Sequence, residues 1–221
     1  MAVVDLQLLV QTLLYFCIFL SGFAISIPVG VNTIKFDGMC ILYAVFAKGD
    51  GISRFRMQSS SRANCNFPVY TSVFACIFYG LGFGCYNAYA VWKSRANQSI
   101  GSAMWVMPFI LINSTLFVML LINACMISVG YKVFCDQLKE YSGIFSCGDG
   151  KNIKWINMAT SDTFTTGDYA RLLTVAQIAC WTACLLFMLQ VAVGILRFYR
   201  NRRLRQSPSD RERIGQSEPT A

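Results

Sequence analysis

The run LQLLVQTLLYFCIFLSGFAISI, Leu6 to Ile27, contains no Asp, Glu, Lys or Arg. A helix needs about 20 largely apolar residues to cross a hydrocarbon core of roughly 30 Å, and this run is long enough. Phe67 to Trp92, Ala96 to Tyr131 and Leu172 to Leu196 are uncharged in the same way. Runs of this length exceed the roughly 8 to 20 residues of most globular helices. The chain therefore reads as an all-α, tetraspan membrane protein, a four-helix bundle with spans at about 7–27, 69–92, 104–129 and 172–196. With 221 residues, 55% hydrophobic and only 14% charged, it suits lipid better than water. One transmembrane domain, about residues 1–205, is expected, followed by a polar, disordered tail at 206–221.

Charge sets the expected orientation. The short connection from Lys93 to Ser102 carries Lys93 and Arg95 without an acid, and seven arginines follow Leu196, so both sites are assigned to the cytosol. The connections at about 28–68 and 130–171 mix basic residues with Asp37, Asp50, Asp136, Glu140, Asp149, Asp162 and Asp168, and read as outer loops. Four crossings then place the N-terminus in the cytosol too, although Met1 to Gln7 supplies no Lys or Arg to hold it. A cleaved signal peptide is the rival for the first span, but Asp5 replaces the expected basic start and the apolar run is long. The spans imply entry into the secretory pathway and leave plasma membrane and endomembrane equally open. Asn97-Gln98-Ser99 is a glycosylation sequon in the short connection, so a glycan there would invert this topology.

The ten cysteines sort by depth. Cys17, Cys76, Cys85, Cys125, Cys180 and Cys184 fall inside spans, where they act as small packing residues. Cys40 and Cys65 in the first outer loop, and Cys135 and Cys147 in the second, face an oxidising compartment. Four thiols allow three pairings, which sequence alone does not decide. One bridge per loop, Cys40 with Cys65 and Cys135 with Cys147, closes short local loops and is favoured. Zinc is disfavoured, because the chain has no CxxC and no histidine.

Within the first loop, Cys40 to Phe46 has strand-like composition and Gly49-Asp50-Gly51 reads as a turn, which predicts a small β-hairpin. Gln58 to Ser61 reads as flexible and polar. In the second loop, Gly148-Asp149-Gly150 is a turn signal ahead of Trp155. That tryptophan is expected at the lipid headgroups or under the loop rather than on a partner surface.

The spans carry no ionisable groups of the kind that proton relays, voltage sensors and ion-coupled carriers place within the bilayer. Without histidine or a buried carboxylate there is also no evident general base, so no catalytic, cofactor or metal site is expected. Asn113, Asn123, Gln177 and Gln190 are the intramembrane polar residues, and interhelical hydrogen bonding explains them better than a pore lining. In the second span Cys76, Gly80, Gly84 and Ala88 put small side chains on one face. Ala176, Cys180 and Cys184, beside Ala179 and Ala183, do the same in the fourth. Contacts within one bundle are favoured for both faces, and oligomeric state is left open. Pro108, near the start of the third span, is a candidate kink.

At the exit of the fourth span Arg197, Arg200, Arg202, Arg203 and Arg205 surround Phe198 and Tyr199. A stop-transfer anchor is the plainer reading, and recognition of anionic lipid is the functional one.

Phe36-Asp37-Gly38-Met39-Cys40-Ile41-Leu42-Tyr43, Ser128-Val129-Gly130-Tyr131 leading to Cys135, and then Ser146-Cys147 and Trp155 resemble the transmembrane protein 179 family. The resemblance implies a four-span membrane protein with structural loop cysteines, and brings no catalytic activity or ligand with it. The chain lacks the Cys-Cys-Gly of tetraspanins and the Trp, Gly-Leu-Trp and paired cysteines of claudins. The expected function is that of a scaffold or accessory protein working through lateral and outer-loop contacts, with a pore or transport role as the alternative. Expected partners are the lipid bilayer, other membrane or extracellular proteins and, at the cytosolic face, anionic lipids, with no role for nucleic acid.

Overall fold

The computed structural model describes residues 6–48, 55–94, 107–142, 146–152, 155–157, 163–164 and 167–215. In chain order the elements are α1 (Leu6–Lys35), β1 (Cys40–Lys48), β2 (Phe55–Ser60), α2 (Ala63–Thr71), a π-helical stretch (Ser72–Phe78), α3 (Tyr79–Ser94), α4 (Met107–Ser142), a 3-10 turn (Cys147–Asn152), β3 (Trp155–Asn157), β4 (Thr163–Phe164) and α5 (Tyr169–Gly215). Among the described residues, four helical rods are long and apolar enough to cross a membrane: Leu6–Lys35, Ala63–Lys93, Met107–Glu140 and Tyr169–Arg203. They run alternately up and down. The sheet lies at one end of the bundle; the start of α1 and the end of α5 lie at the other.

The rods are longer than the bilayer requires, since the 30 residues of α1 rise about 45 Å at 1.5 Å each. Segments expected to open the outer loops are therefore helical. α1 continues through Pro28, whose missing N–H a packed membrane helix tolerates. α4 continues beyond residue 129 because Phe134, Cys135 and Leu138 are buried on one face while Lys132, Asp136, Lys139 and Glu140 are exposed on the other. Pro108 does not kink this helix: it stands in the first turn, where its missing N–H has no intrahelical partner to lose. α5 runs to Gly215, past the point where a disordered tail was expected at 206. Arg202, Arg203, Leu204 and Arg205 favour this continuation as good helix formers, whereas Ser207, Pro208 and Ser209 beyond them do not.

Small residues bring the rods together. A Cβ at Gly22 would lie 2.8 Å from Cys76 Cβ, and one at Gly80 would lie 3.2 Å from the Phe19 backbone nitrogen. Gly84 faces Tyr15 at 3.5 Å. The small face of the second rod is thus filled by α1 of the same chain, while Ala88 at its far end is exposed. On α5, Ala176, Cys180, Ala183 and Cys184 are buried in the central core with Ile18, Ile25, Leu120, Ile127 and Phe187. The Cys180 thiol points at the Leu120 carbonyl of α4, 3.9 Å away.

The second rod changes winding just after Pro68. Proline removes one ladder donor, and the slack is taken up as a π-helical stretch, a frequent response inside membrane helices. The Ser72 hydroxyl donates to the Val69 carbonyl at 2.9 Å, and Asn123 Nδ2 donates to the Pro68 carbonyl at 3.5 Å.

Among the described residues the sheet has four strands in the order β1-β2-β3-β4. β1 and β2 form the expected antiparallel hairpin, with Val45 opposite Gln58 and Lys48 opposite Phe55. The proposed turn at Gly49-Asp50-Gly51 lies outside the described residues, as does Asn97. Gln58, Ser59 and Ser60 are not a flexible run: they complete β2, where cross-strand bonds hold them. β3 from the second connection adds in parallel to β2, Phe55 beside Trp155 and Met57 beside Asn157, and β4 pairs antiparallel with β3. Trp155 is thereby a strand residue between two partners.

Candidate functional site: a braced sheet on the ends of the helices

The stretch from Phe36 to Tyr43 makes the junction between α1 and the sheet, and each of its distinctive residues has a local task. Asp37 (φ 54°) and Gly38 (φ 73°) turn left-handed and end the helix. Gly38 N–H donates back to the Thr33 carbonyl at 2.9 Å and Asp37 N–H to that of Ile34 at 3.1 Å, satisfying helix-end acceptors. Phe36 then drops into an aromatic cluster, 6.3 Å from Phe134 and 5.7 Å from Tyr169, edge to face in both cases. Leu42, Met57, Leu138 and Leu173 fill the space around it. Tyr43 also has a positive φ, 63°, at the irregularity between Cys40 and Val45 in the β1–β2 ladder. Its ring lies over Gly130 of α4, where a Cβ would come within 2.9 Å of Tyr43 Cε2 and 3.0 Å of Leu42 Cβ. Gly130 is required by this close approach.

Two disulfides close the layer. Cys40 at the start of β1 is bonded to Cys65 in α2, and Cys135 in α4 to Cys147 in the 3-10 turn, with Cα separations of 5.6 and 5.3 Å. Each ties a strand or turn to a membrane helix. Around the first bridge, the Cys40 N–H donates to Ser59 Oγ at 3.0 Å and the Ser60 hydroxyl donates to the Leu42 carbonyl. Beside the second, the Tyr169 hydroxyl donates to the Cys147 carbonyl, and Gly150 leaves room for it. Phe46 N–H, on the edge of β1 away from β2, donates to Gln137 Oε1 of α4 at 3.3 Å, so that edge is partly covered by the chain's own helix. A shallow cavity of about 260 Å³ lies next to the first bridge, lined by Thr33, Gly38, Cys40, Arg62, Cys65 and Asn66.

The intramembrane polar residues divide. Asn113 is buried and Nδ2 donates to the Tyr15 hydroxyl at 2.9 Å, while its Oδ1 accepts from the Tyr79 hydroxyl at 3.1 Å. Three rods meet at that one amide. Asn123 is buried against the Pro68 carbonyl, its Oδ1 without a hydrogen-bond partner. Gln190 Nε2 donates to the Gln11 carbonyl at 2.9 Å, and Gln177 is half-buried on α5.

The arginine group at the other end also divides. Arg197 is only 3% exposed and its Nη1 donates to Gln11 Oε1 at 2.9 Å, so it faces α1 and is withdrawn from the group of lipid candidates. Its i+4 neighbour Asn201 shares the buried stripe. Arg200, Arg202 and Arg203 are exposed, and the side chain of Arg205 lies outside the described residues. Among the described residues no group of three or more His, Cys, Asp or Glu side chains is arranged to hold a metal ion.

Tyr15, Tyr79, Gln11, Gly22 and Tyr169 have structural roles that sequence reasoning did not single out. Tyrosine in an apolar run reads as ordinary bulk, whereas Gly22 did carry a signal, since Ser26 and Gly30 follow it at four-residue spacing as small residues on one helix face.

Residues 7–218 match the family model of the transmembrane protein 179/179B claudin domain. Among curated proteins, transmembrane protein 179B of Danio rerio is 23% identical over 207 residues, covering 92% of this chain and 89% of that protein. No solved structure matches. The chain lacks the short claudin motif, yet the family model it matches is that of a claudin domain, so setting claudins aside on that motif alone is corrected. The match spans all four membrane helices, and the chain belongs to the transmembrane protein 179/179B family of multi-pass, claudin-domain membrane proteins.

Proposed function

We propose that the protein is a non-catalytic scaffold or accessory membrane protein, engaging other membrane or extracellular proteins through its sheet layer and its lateral helix surfaces. The observation that carries this reading is the fusion of both connections into one sheet, tied to the helices by Cys40–Cys65 and Cys135–Cys147. A surface held in one shape before binding loses little conformational entropy on docking. The sheet end is assigned to the lumenal or extracellular side, where disulfides persist. Both termini, with Lys93 and the arginines of α5, then lie in the cytosol of the plasma membrane or an endomembrane.

A pore or transport role is the less favoured reading. The buried Asn113 amide is taken up by Tyr15 and Tyr79, an arrangement that suits helix packing rather than passage of a solute. Proximity labelling from the sheet end in cells, with the intact chain and a C40S/C65S variant, tests the proposal. Specific neighbours that crosslink to the intact chain and are lost from the variant at equal membrane level support it. Selective flux through purified protein in proteoliposomes, without such neighbours, overturns it.

A further inference from the structure

The exposed arginines of α5 are not scattered around the helix at random. The buried stripe is fixed by Arg197 and Gln190, both of which bond to Gln11 of α1, and by Asn201. That tie sets the rotation of α5 as it leaves the bundle. Leu196 and Tyr199, each 61% exposed, are turned to the lipid side. Residues four apart share a helix face, so Arg200 follows Leu196 and Arg203 follows Tyr199 on that same side. At 1.5 Å per residue both guanidinium-bearing positions lie about 6 Å farther along the axis than the apolar residue they follow, a depth that matches headgroups just beyond the hydrocarbon. Arg202 is exposed as well.

We infer that this exposed face of α5, Arg200 and Arg203 with Arg202 beside them, binds the headgroup phosphates of anionic phospholipids. Guanidinium groups take phosphate oxygens in a bidentate fork, which a simple excess of positive charge does not require. Arg197 is excluded from the site because it is spent within the bundle. The inference is independent of the scaffold reading and of the orientation, since the test uses symmetric bilayers and no protein partner.

The full chain is reconstituted in phosphatidylcholine bilayers, and the association of spin-labelled phosphatidylserine is measured against that of spin-labelled phosphatidylcholine. The wild-type protein is expected to prefer phosphatidylserine, less so as salt is raised. R200Q/R203Q is expected to weaken that preference about five-fold for each arginine removed, with R200K/R203K retaining part of it. A wild-type protein with no preference overturns the inference without recourse to any variant. An R200Q/R203Q protein of unchanged helix content and undiminished preference also overturns it. Displacement of the labelled lipid by millimolar inorganic phosphate overturns the lipid assignment in favour of a free-anion site.

Discussion

At the scale of single residues, the most consequential side chain is Asn113. One amide joins Tyr15 of α1 and Tyr79 of α3, and its removal takes a hydrogen-bond partner from each hydroxyl and leaves the contact between the two tyrosines. Asn113→Leu is expected to lower stability by about 1 to 2 kcal/mol, read as the shift in denaturant-induced unfolding of the protein in detergent micelles. Gly130 is as exacting for a different reason. A methyl there meets Tyr43 and Leu42, and Tyr43 is already held at positive φ. Gly130→Ala is expected to cost about 1 to 3 kcal/mol through overpacking, with hydrogen exchange rising in β1 before the membrane helices; unchanged exchange in β1 would show that the contact gives way freely.

At the scale of elements, the α1 interface with the second rod depends on where glycine stands rather than on how much glycine is present. A Cβ added at Gly22 would lie 2.7 Å from Ile77 Cγ1 and 2.8 Å from Cys76 Cβ, whereas a Cβ at Gly30 or Gly82 would meet nothing within 4 Å. Gly22→Val is expected to part α1 from the π-helical stretch at a cost of about 1 to 3 kcal/mol. Gly82→Ala is expected to leave stability unchanged or raise it by up to about 1 kcal/mol, through helix propensity alone. Thermal unfolding of the two variants side by side checks the pair, and equal losses would mean that glycine matters in these helices for bending and not for contact. The π-helical stretch belongs to this scale too, as the joint consequence of Pro68 within the helix and Asn123 reaching across to the Pro68 carbonyl.

At the scale of the whole molecule, two large cores stack along the helix axes among the described residues, one among the membrane-spanning residues and one beneath the sheet, with a small third cluster of Leu8, Ala90 and Val91. The second counts all four disulfide cysteines among its buried residues. Each disulfide is expected to contribute about 3 kcal/mol by restricting the unfolded chain. Loss of both bridges, in C40S/C65S combined with C135S/C147S, is therefore expected to make the sheet layer protease-sensitive while the four spans remain inserted. A layer equally resistant without its bridges would mean that the aromatic cluster of Phe36, Phe134 and Tyr169 holds it alone. The proposed orientation has its own check: Asn97 is expected to carry no glycan in cells, and a mobility shift on deglycosylation that N97Q abolishes would invert the molecule.

The sequence by itself determined the class of molecule, because charge-free runs such as Leu6 to Ile27 have no other stable home than a bilayer, and it determined which residues bear on the loops' chemistry. Hairpin composition and cysteine positions are local properties, and local properties can be read along a line. Tertiary structure alone decided the rest. That β3 joins β2 in parallel, so that two connections become one sheet, depends on segments far apart in sequence. That Gly22 and Gly130 are contact points depends on what lies opposite each of them. That Arg197 turns inward to Gln11 while Arg200 and Arg203 turn outward depends on the rotation of α5, a quantity set by packing against α1 and invisible in a run of arginines.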